Sequence, residues 1–175
     1  MIETARLAIR PMTPADAAFI LQLVNDADFL RHIGDRGVRT DDDARRYIET
    51  GPLASYARHG FGLWLVERRA DGAPIGMCGL LKRDTLADVD IGFAYLPAWR
   101  GQGYALEAAQ AVMEHGRRVL ALPRIVAIVS PDNAGSIRLL GKLGLVFERR
   151  VDLNGDGRET SLYVPAATLA AAAAR

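Results

Sequence analysis

Apolar and polar positions change period several times along the chain. Residues 5–13, ARLAIRPMT, alternate, with Leu7 and Ile9 set against Arg6 and Arg10, which is the period of a strand with one buried face. From Thr13 the period lengthens. Thr13 suits a helix cap, Pro14 the first helical position, and Ala18, Ile20, Leu21 and Val24 make an apolar stripe. Residues 27–38, ADFLRHIGDRGV, read as a short helix or turn ending at Gly34. Thr40 followed by three aspartates opens a second helical segment, since acids favour the positive end of the helix dipole. That segment is interrupted near Gly51 and Pro52.

Two apolar runs then flank Ala70-Asp71-Gly72-Ala73, a hairpin signal. In ADVDIGFAYL, residues 87–96, Val89, Ile91, Phe93 and Tyr95 fall on one strand face, and Asp88, Asp90, Gly92 and Ala94 on the other. Ala105, Ala108, Ala109, Val112, Met113 and Val119 keep helical spacing across 103–120. RIVAIVS is a continuous apolar run, as in a strand buried on both faces. Residues 133–145 predict a short helix ended by Gly144. A last hairpin turns at Asn154-Gly155-Asp156-Gly157, and residues 165–175 form an Ala-rich tail. With no internal repeat and no linker, the pattern predicts one α+β domain over 1–175.

Composition narrows the function classes. The 175 residues are half hydrophobic and a quarter charged, with a net charge of +1. Such a chain has no overall field to recruit nucleic acid or an anionic membrane. No apolar run reaches the ~18 residues of a membrane span, and residues 1–12 have no signal-peptide core, so the expected location is cytoplasmic. One cysteine provides neither a disulfide framework nor a metal cluster. The sequence does not fix an oligomeric state beyond monomer or homodimer.

The chemistry concentrates in PAWRGQGYALEA, a glycine-rich turn running into the 103–120 helix. Such turns bind phosphate, because a helix N-terminus offers unpaired N–H groups and a positive dipole end. The nucleotide P-loop is excluded, since no Gly-Lys-Ser/Thr follows. The dinucleotide fingerprint fits at Gly101 and Gly103 but fails at Leu106. Arg/Gln-x-x-Gly-x-Gly/Ala is matched by Arg100, Gly103 and Ala105.

DIGFAYLPAWRGQGYALEA together with SPDNAGSIRLLGKLGL resembles the GNAT superfamily of N-acetyltransferases, and within it the ribosomal-protein (RimJ/RimL-like) branch. The opening TARLAIRPMTPADA is also similar to that branch. The resemblance implies a mixed, mostly antiparallel sheet of about seven strands with helices on both faces. It implies that the strands DIGFAYL and RIVAIVS start paired and splay apart, admitting the acyl-pantetheine arm along the first strand's free edge. The implied cosubstrate is acetyl-CoA, with no metal. Its pyrophosphate would lie on Arg100, Gly101, Gln102, Gly103, Tyr104 and Ala105. The main chain at Phe93 and Tyr95 would hold pantetheine and polarise the thioester carbonyl.

Asn133 has two readings, a helix cap and, by resemblance, an amide ligand of the pantetheine arm. Ser136, one turn on, is either an ordinary serine or the acid that protonates the leaving thiolate. Arg138 and Lys142 make a solvated basic face or meet the 3′-phosphate. Tyr163 is a further candidate for the thiolate acid.

The implied reaction moves acetyl to a primary amine, on a protein N-terminus or a small molecule. An amine of pKa ~8 to ~10.4 must shed a proton before attack. Asp90 stands where the family's motif carries glutamate, and its small neighbours Gly92 and Ala94 leave room for a substrate. It is the candidate base, provided its surroundings raise its pKa. Aspartate for glutamate and Phe93 for tyrosine are departures from the family pattern. They are the only features favouring the alternative, a non-catalytic acyl-CoA sensor or structural module. No nucleophile–base pair is evident, which favours direct transfer in a ternary complex.

Three other features are set aside. Asp152, Asn154 and Asp156 imitate half a calcium loop, but its twelfth position is Tyr163, not glutamate. Cys78 reads as core. His32, His59 and His115 lack ligand spacing, although His32 falls in the segment that lines the acceptor site in relatives.

Overall fold

The computed structural model describes residues 1–153, 155, 157 and 159–168. The predicted Asn154–Gly157 turn and the tail beyond residue 168 lie partly or wholly outside these. Strand β1 (Ile2–Glu3) pairs antiparallel with β2 (Leu7–Pro11). A 3-10 turn at Pro14–Asp16 leads into α1 (Ala17–Val24). Helices α2 (Ala27–His32) and α3 (Asp41–Ile48) follow. Thr40 caps α3 by accepting from the Asp43 N–H, and Asp43 returns the bond to Thr40. The interruption expected near Pro52 is a π-helical turn, Glu49–Leu53, which absorbs the proline's missing N–H before α4 (Ala54–His59).

Strands β3 (Leu63–Arg68), β4 (Pro74–Lys82) and β5 (Val89–Tyr95) form an antiparallel meander. Helix α5 (Tyr104–Arg118) crosses to β6 (Ile125–Val129). Helix α6 (Ala134–Lys142), β7 (Leu145–Asp152) and β8 (Glu159–Pro165) complete the described chain. The eight-stranded sheet runs β1-β2-β3-β4-β5-β6-β8-β7. The expected number was about seven. The additional strand is β1, whose two residues are too few to show an alternation. Pro165, placed in the tail from sequence, ends β8.

Side-chain alternation divides the core across the sheet. On β3 and β4, Val66 and Cys78 join the cluster under α5, with Ala108, Val112 and Met113. Their neighbours Leu65 and Met77 join the cluster under α1 and α3, with Ile20, Leu23 and Ile48. Helices therefore cover both faces. Cys78 is fully buried, and burial pushes its thiol well above the usual range, as fits a core residue.

Strand β4 passes unusually close to the loop before β3. The Gly62 carbonyl accepts from the Leu80 N–H at 3.1 Å. A Cβ on Gly79 would overlap that carbonyl and sit 2.6 Å from the Leu63 Cα. Backbone cannot swing aside as a side chain does. Gly79→Ala is therefore expected to lower stability by about 3 kcal/mol, the upper end for overpacking. A denaturant midpoint equal to wild type would contradict this packing.

Among the described strands only β5 and β6 run parallel, and they pair at two positions, Val89 with Ile125 and Asp90 with Val126. Beyond these, β6 pairs through Ala127, Ile128 and Val129 with β8 alone. The β5 edge from Ile91 to Tyr95 is left open on that side. The sheet thus parts into a V whose apex lies beside Asp90.

Candidate active site

Two clefts meet in this V. The first, of about 600 Å³, runs from the N-terminus of α5 along the open β5 edge to α6. The second, of about 500 Å³, lies on the α3 side, between the ends of β4 and β5 and the start of β8. Phe29, His32, Ile33, Phe93, Asn133 and Ser136 line both and mark the junction.

The first cleft begins at the glycine turn. Gly101 and Gly103 have φ of 73° and 82°, a region in which glycine alone is unstrained. Among the described residues no side chain caps α5, and the first N–H to find a helical carbonyl is that of Glu107, bonded to Gly103. The N–H groups before it are available to an anion at the positive end of a 15-residue helix. Ala105, Arg138 and Lys142 line the same cleft. These donors, the two basic side chains and the open strand edge fit a pyrophosphate-bearing pantetheine ligand.

The polar side chains of the turn are engaged by the protein itself. Arg100 lines the cleft, but its guanidinium is held by Asp26 at 2.5 Å, by Asp28 and by the Tyr95 carbonyl at 2.8 Å. Its charge is met by protein carboxylates, so it ties α2 to the end of β5 rather than standing open to phosphate. Gln102 folds back, donating to the Ala98 carbonyl at 2.8 Å, and does not line the cleft. The Tyr104 side chain is buried beneath the Arg6 guanidinium, 4.5 Å from the ring centre, so only its backbone belongs to the turn. Likewise the Tyr95 phenol lies in the core under α5.

At the junction, Asn133 caps α6 by accepting from the Ser136 N–H at 3.0 Å. This oxygen is occupied, while the amide nitrogen has no described hydrogen bond. Helix α2 spans the opening. Arg31 reaches Asp132 at 3.0 Å, and His32 Nδ1 lies 3.3 Å from the same carboxylate without a well-directed hydrogen bond. The Ser130 hydroxyl, donating at 2.5 Å, holds the Asp132 carboxyl down at about 2.

In the second cleft Asp90 is 1% exposed. Its Oδ1 accepts from Arg83 Nε at 2.9 Å, and its Oδ2 has no partner among the described residues. Burial pushes the Asp90 carboxyl up from its ordinary value of 3.8, with the Arg83 guanidinium pulling the other way. A buried carboxylate oxygen without a donor is costly unless a ligand serves it. Tyr47, Arg36 and Lys82 line the same cleft. Lys82 Nζ is engaged by the Leu86 and Ala87 carbonyls, both at 2.8 Å.

Tyr163 is not brought to either cleft. On β8 it alternates with Leu162, and it packs toward α5 and α6, edge-on to Phe147 at 5.9 Å. The calcium-like Asp152 instead accepts from the Gly155 and Gly157 N–H groups at 2.8 Å each, as a turn-forming aspartate does. No cluster of potential metal ligands occurs among the described residues, and no helix among them is long and apolar enough to cross a membrane. Arg83, Arg36 and Tyr47 had drawn no notice in the sequence. Arg83 follows β4, and the register pairing Leu81 with Asp90 brings it to the carboxylate.

Comparison with known proteins agrees with this geometry. Residues 6–146 match the family model of the acetyltransferase (GNAT) domain. An uncharacterised N-acetyltransferase of Bacillus subtilis, YoaA, is 30% identical over 170 residues, covering 93% of this chain and 94% of that one. A GNAT-family acetyltransferase of Bacillus anthracis superposes with a TM-score of 0.77 at 25% identity, over 93% and 96% of the two chains. The ribosomal alpha-N-protein acetyltransferase RimL, in complex with coenzyme A, superposes with a TM-score of 0.78 at 20% identity, over 92% and 94%.

Proposed function

The chain belongs to the GNAT acetyltransferase family, an acetyl-CoA-dependent acyltransferase, and we propose that it transfers acetyl directly to a primary amine held beside Asp90. The observation that carries this reading is the buried, unpartnered Oδ2 of Asp90 in one cleft, with the helix-terminus turn in the other. A module that only sensed acyl-CoA has no use for a desolvated carboxylate facing away from the cosubstrate.

In this reading the N–H groups at the start of α5 bind the pyrophosphate, and Arg138 and Lys142 add charge. The open edge of β5 at Phe93 aligns the pantetheine arm, and a main-chain N–H there faces the thioester carbonyl. Asp90 takes a proton from the acceptor ammonium, directly or through one water. The freed amine attacks the carbonyl carbon, forming the C–N bond. The C–S bond breaks and its electron pair leaves on sulfur. The second proton on nitrogen passes to Ser136, at the junction of the clefts, as the Ser136 hydroxyl gives its own to the thiolate, so that the serine ends as it began. The sum is acetylamide, free thiol and one proton released to solvent through Asp90. No acyl-enzyme is formed.

The test is acetyl-CoA consumption across a panel of peptides, amino acids and small amines. N-acetylated product from at least one class upholds the reading. Coenzyme A binding with no transfer to any amine would overturn it.

The two readings of Asn133 can be separated. Asn133→Asp keeps a side-chain oxygen for the cap, and aspartate caps as well as asparagine, but it removes the amide donor. Its unfolding midpoint should match wild type while coenzyme A affinity falls about tenfold, the loss of one hydrogen bond plus an added negative charge. Unchanged affinity would leave Asn133 as a cap only.

A further inference from the structure

The acceptor cleft carries a second polar feature besides Asp90. Arg83 gives Asp90 only its Nε, at 2.9 Å. Its two terminal nitrogens have no described partner, its side chain is one-third exposed, and it lines the cleft. Arg36 lines the same cleft, and no ion pair or hydrogen bond of its side chain occurs among the described residues. Tyr47, half-buried, lines the cleft with them. Of the remaining charged groups in the cleft, Lys82 is engaged by two carbonyls. Glu159 stands exposed at the start of β8, across from this group.

We propose that the acceptor is a zwitterion, a free α-amino acid or close analogue, whose ammonium meets Asp90 Oδ2 and whose carboxylate meets Arg83 and Arg36. The proposal rests on the acetyltransferase reading above and names its substrate class. Asp90 and Arg83 are locked side by side as a buried anion and a cation with donors to spare. An α-amino acid carries a cation and an anion on adjacent atoms in the same compact arrangement. Laid antiparallel on the pair, it gives each charge its complement. The guanidinium fork matches a carboxylate with two parallel N–H bonds, and the Tyr47 hydroxyl adds a neutral donor. A peptide N-terminus carries an amide in place of that carboxylate. It would leave two guanidiniums facing a neutral group, and a site built for a charged partner rejects the analogue lacking it.

The test compares each common L-amino acid with its carboxamide and with a dipeptide beginning with the same residue, at fixed acetyl-CoA. For the preferred side chain, kcat/KM for the free acid should exceed that for the carboxamide by about tenfold to a hundredfold, the loss of charge-assisted hydrogen bonds. Arg36→Gln, at an exposed position where folding is not at risk, should narrow the gap by raising KM for the free acid rather than lowering kcat. A carboxamide or dipeptide that serves as well as the acid overturns the proposal and leaves acetyl transfer standing. An enzyme that acetylates none of the three but acetylates another amine overturns the zwitterion and leaves acetyl transfer standing; one that acetylates no amine of the wider panel overturns both.

Discussion

Asp90→Asn is expected to lower turnover by about a hundred- to ten-thousand-fold, the usual contribution of a positioned base, while coenzyme A affinity holds. The amide fills the same space and still accepts from Arg83, so the cleft keeps its shape. It loses only the capacity to take a proton. The pH dependence follows from the environment. Burial raises the Asp90 carboxyl above 3.8 and Arg83 opposes it. The base works only when ionised, so kcat/KM for wild type should rise with pH through this raised value, and the acidic limb should vanish in the variant. Stability runs the other way. A carboxyl whose folded pKa is raised contributes stability that is fully present below the unfolded value. That contribution is lost as pH rises through the folded one. At neutral pH the ionised Asp90 therefore weakens the fold, and Asp90→Asn should unfold no earlier than wild type. Turnover within a few-fold of wild type would remove Asp90 from the role of base.

Gly103→Asp should reduce coenzyme A affinity by about a hundredfold with acceptor chemistry untouched. Gly103 is the N-cap of α5 at φ of 82°, where any side chain is strained, but aspartate, with asparagine, is among the few residues that enter this region. Its Cβ would lie 3.2 Å from Arg6 Nη2, the mobile end of a side chain that can shift. The helix therefore forms. The new carboxylate then occupies the N–H groups that an incoming phosphate needs, and repels it as well. Two charge-assisted hydrogen bonds of about 1.5 kcal/mol each correspond to that loss. Calorimetric titration with coenzyme A measures it, and unchanged affinity would move the pyrophosphate away from this turn.

The geometry of the α5 turn was legible because it is written in local backbone terms. Two glycines followed by a long amphipathic helix specify a turn and an uncapped N-terminus whatever surrounds them. Asn133 was legible for the same reason, as a cap one turn before Ser136. What side chains do across the fold was not legible. Arg100 occupies the motif position of a phosphate ligand, yet Asp26 and Asp28, more than seventy residues earlier, take its charge. Arg83 reaches Asp90 only through the β4–β5 register. Tyr163, a further candidate for the thiolate acid, is turned by strand parity toward the α5 and α6 side and lines neither cleft. The short β1 strand has too few residues for any period. The splay itself came from family resemblance, since two register pairs between β5 and β6 leave no trace in either strand's composition.

The central claim is that the open β5 edge and the α5 turn together seat acetyl-CoA, with the amine entering from the Asp90 side. Amide hydrogen exchange with and without coenzyme A tests it most directly. Protection is expected in residues 91–95 and 101–107, with the β7 edge unchanged. Tight binding that protects neither segment would contradict the account.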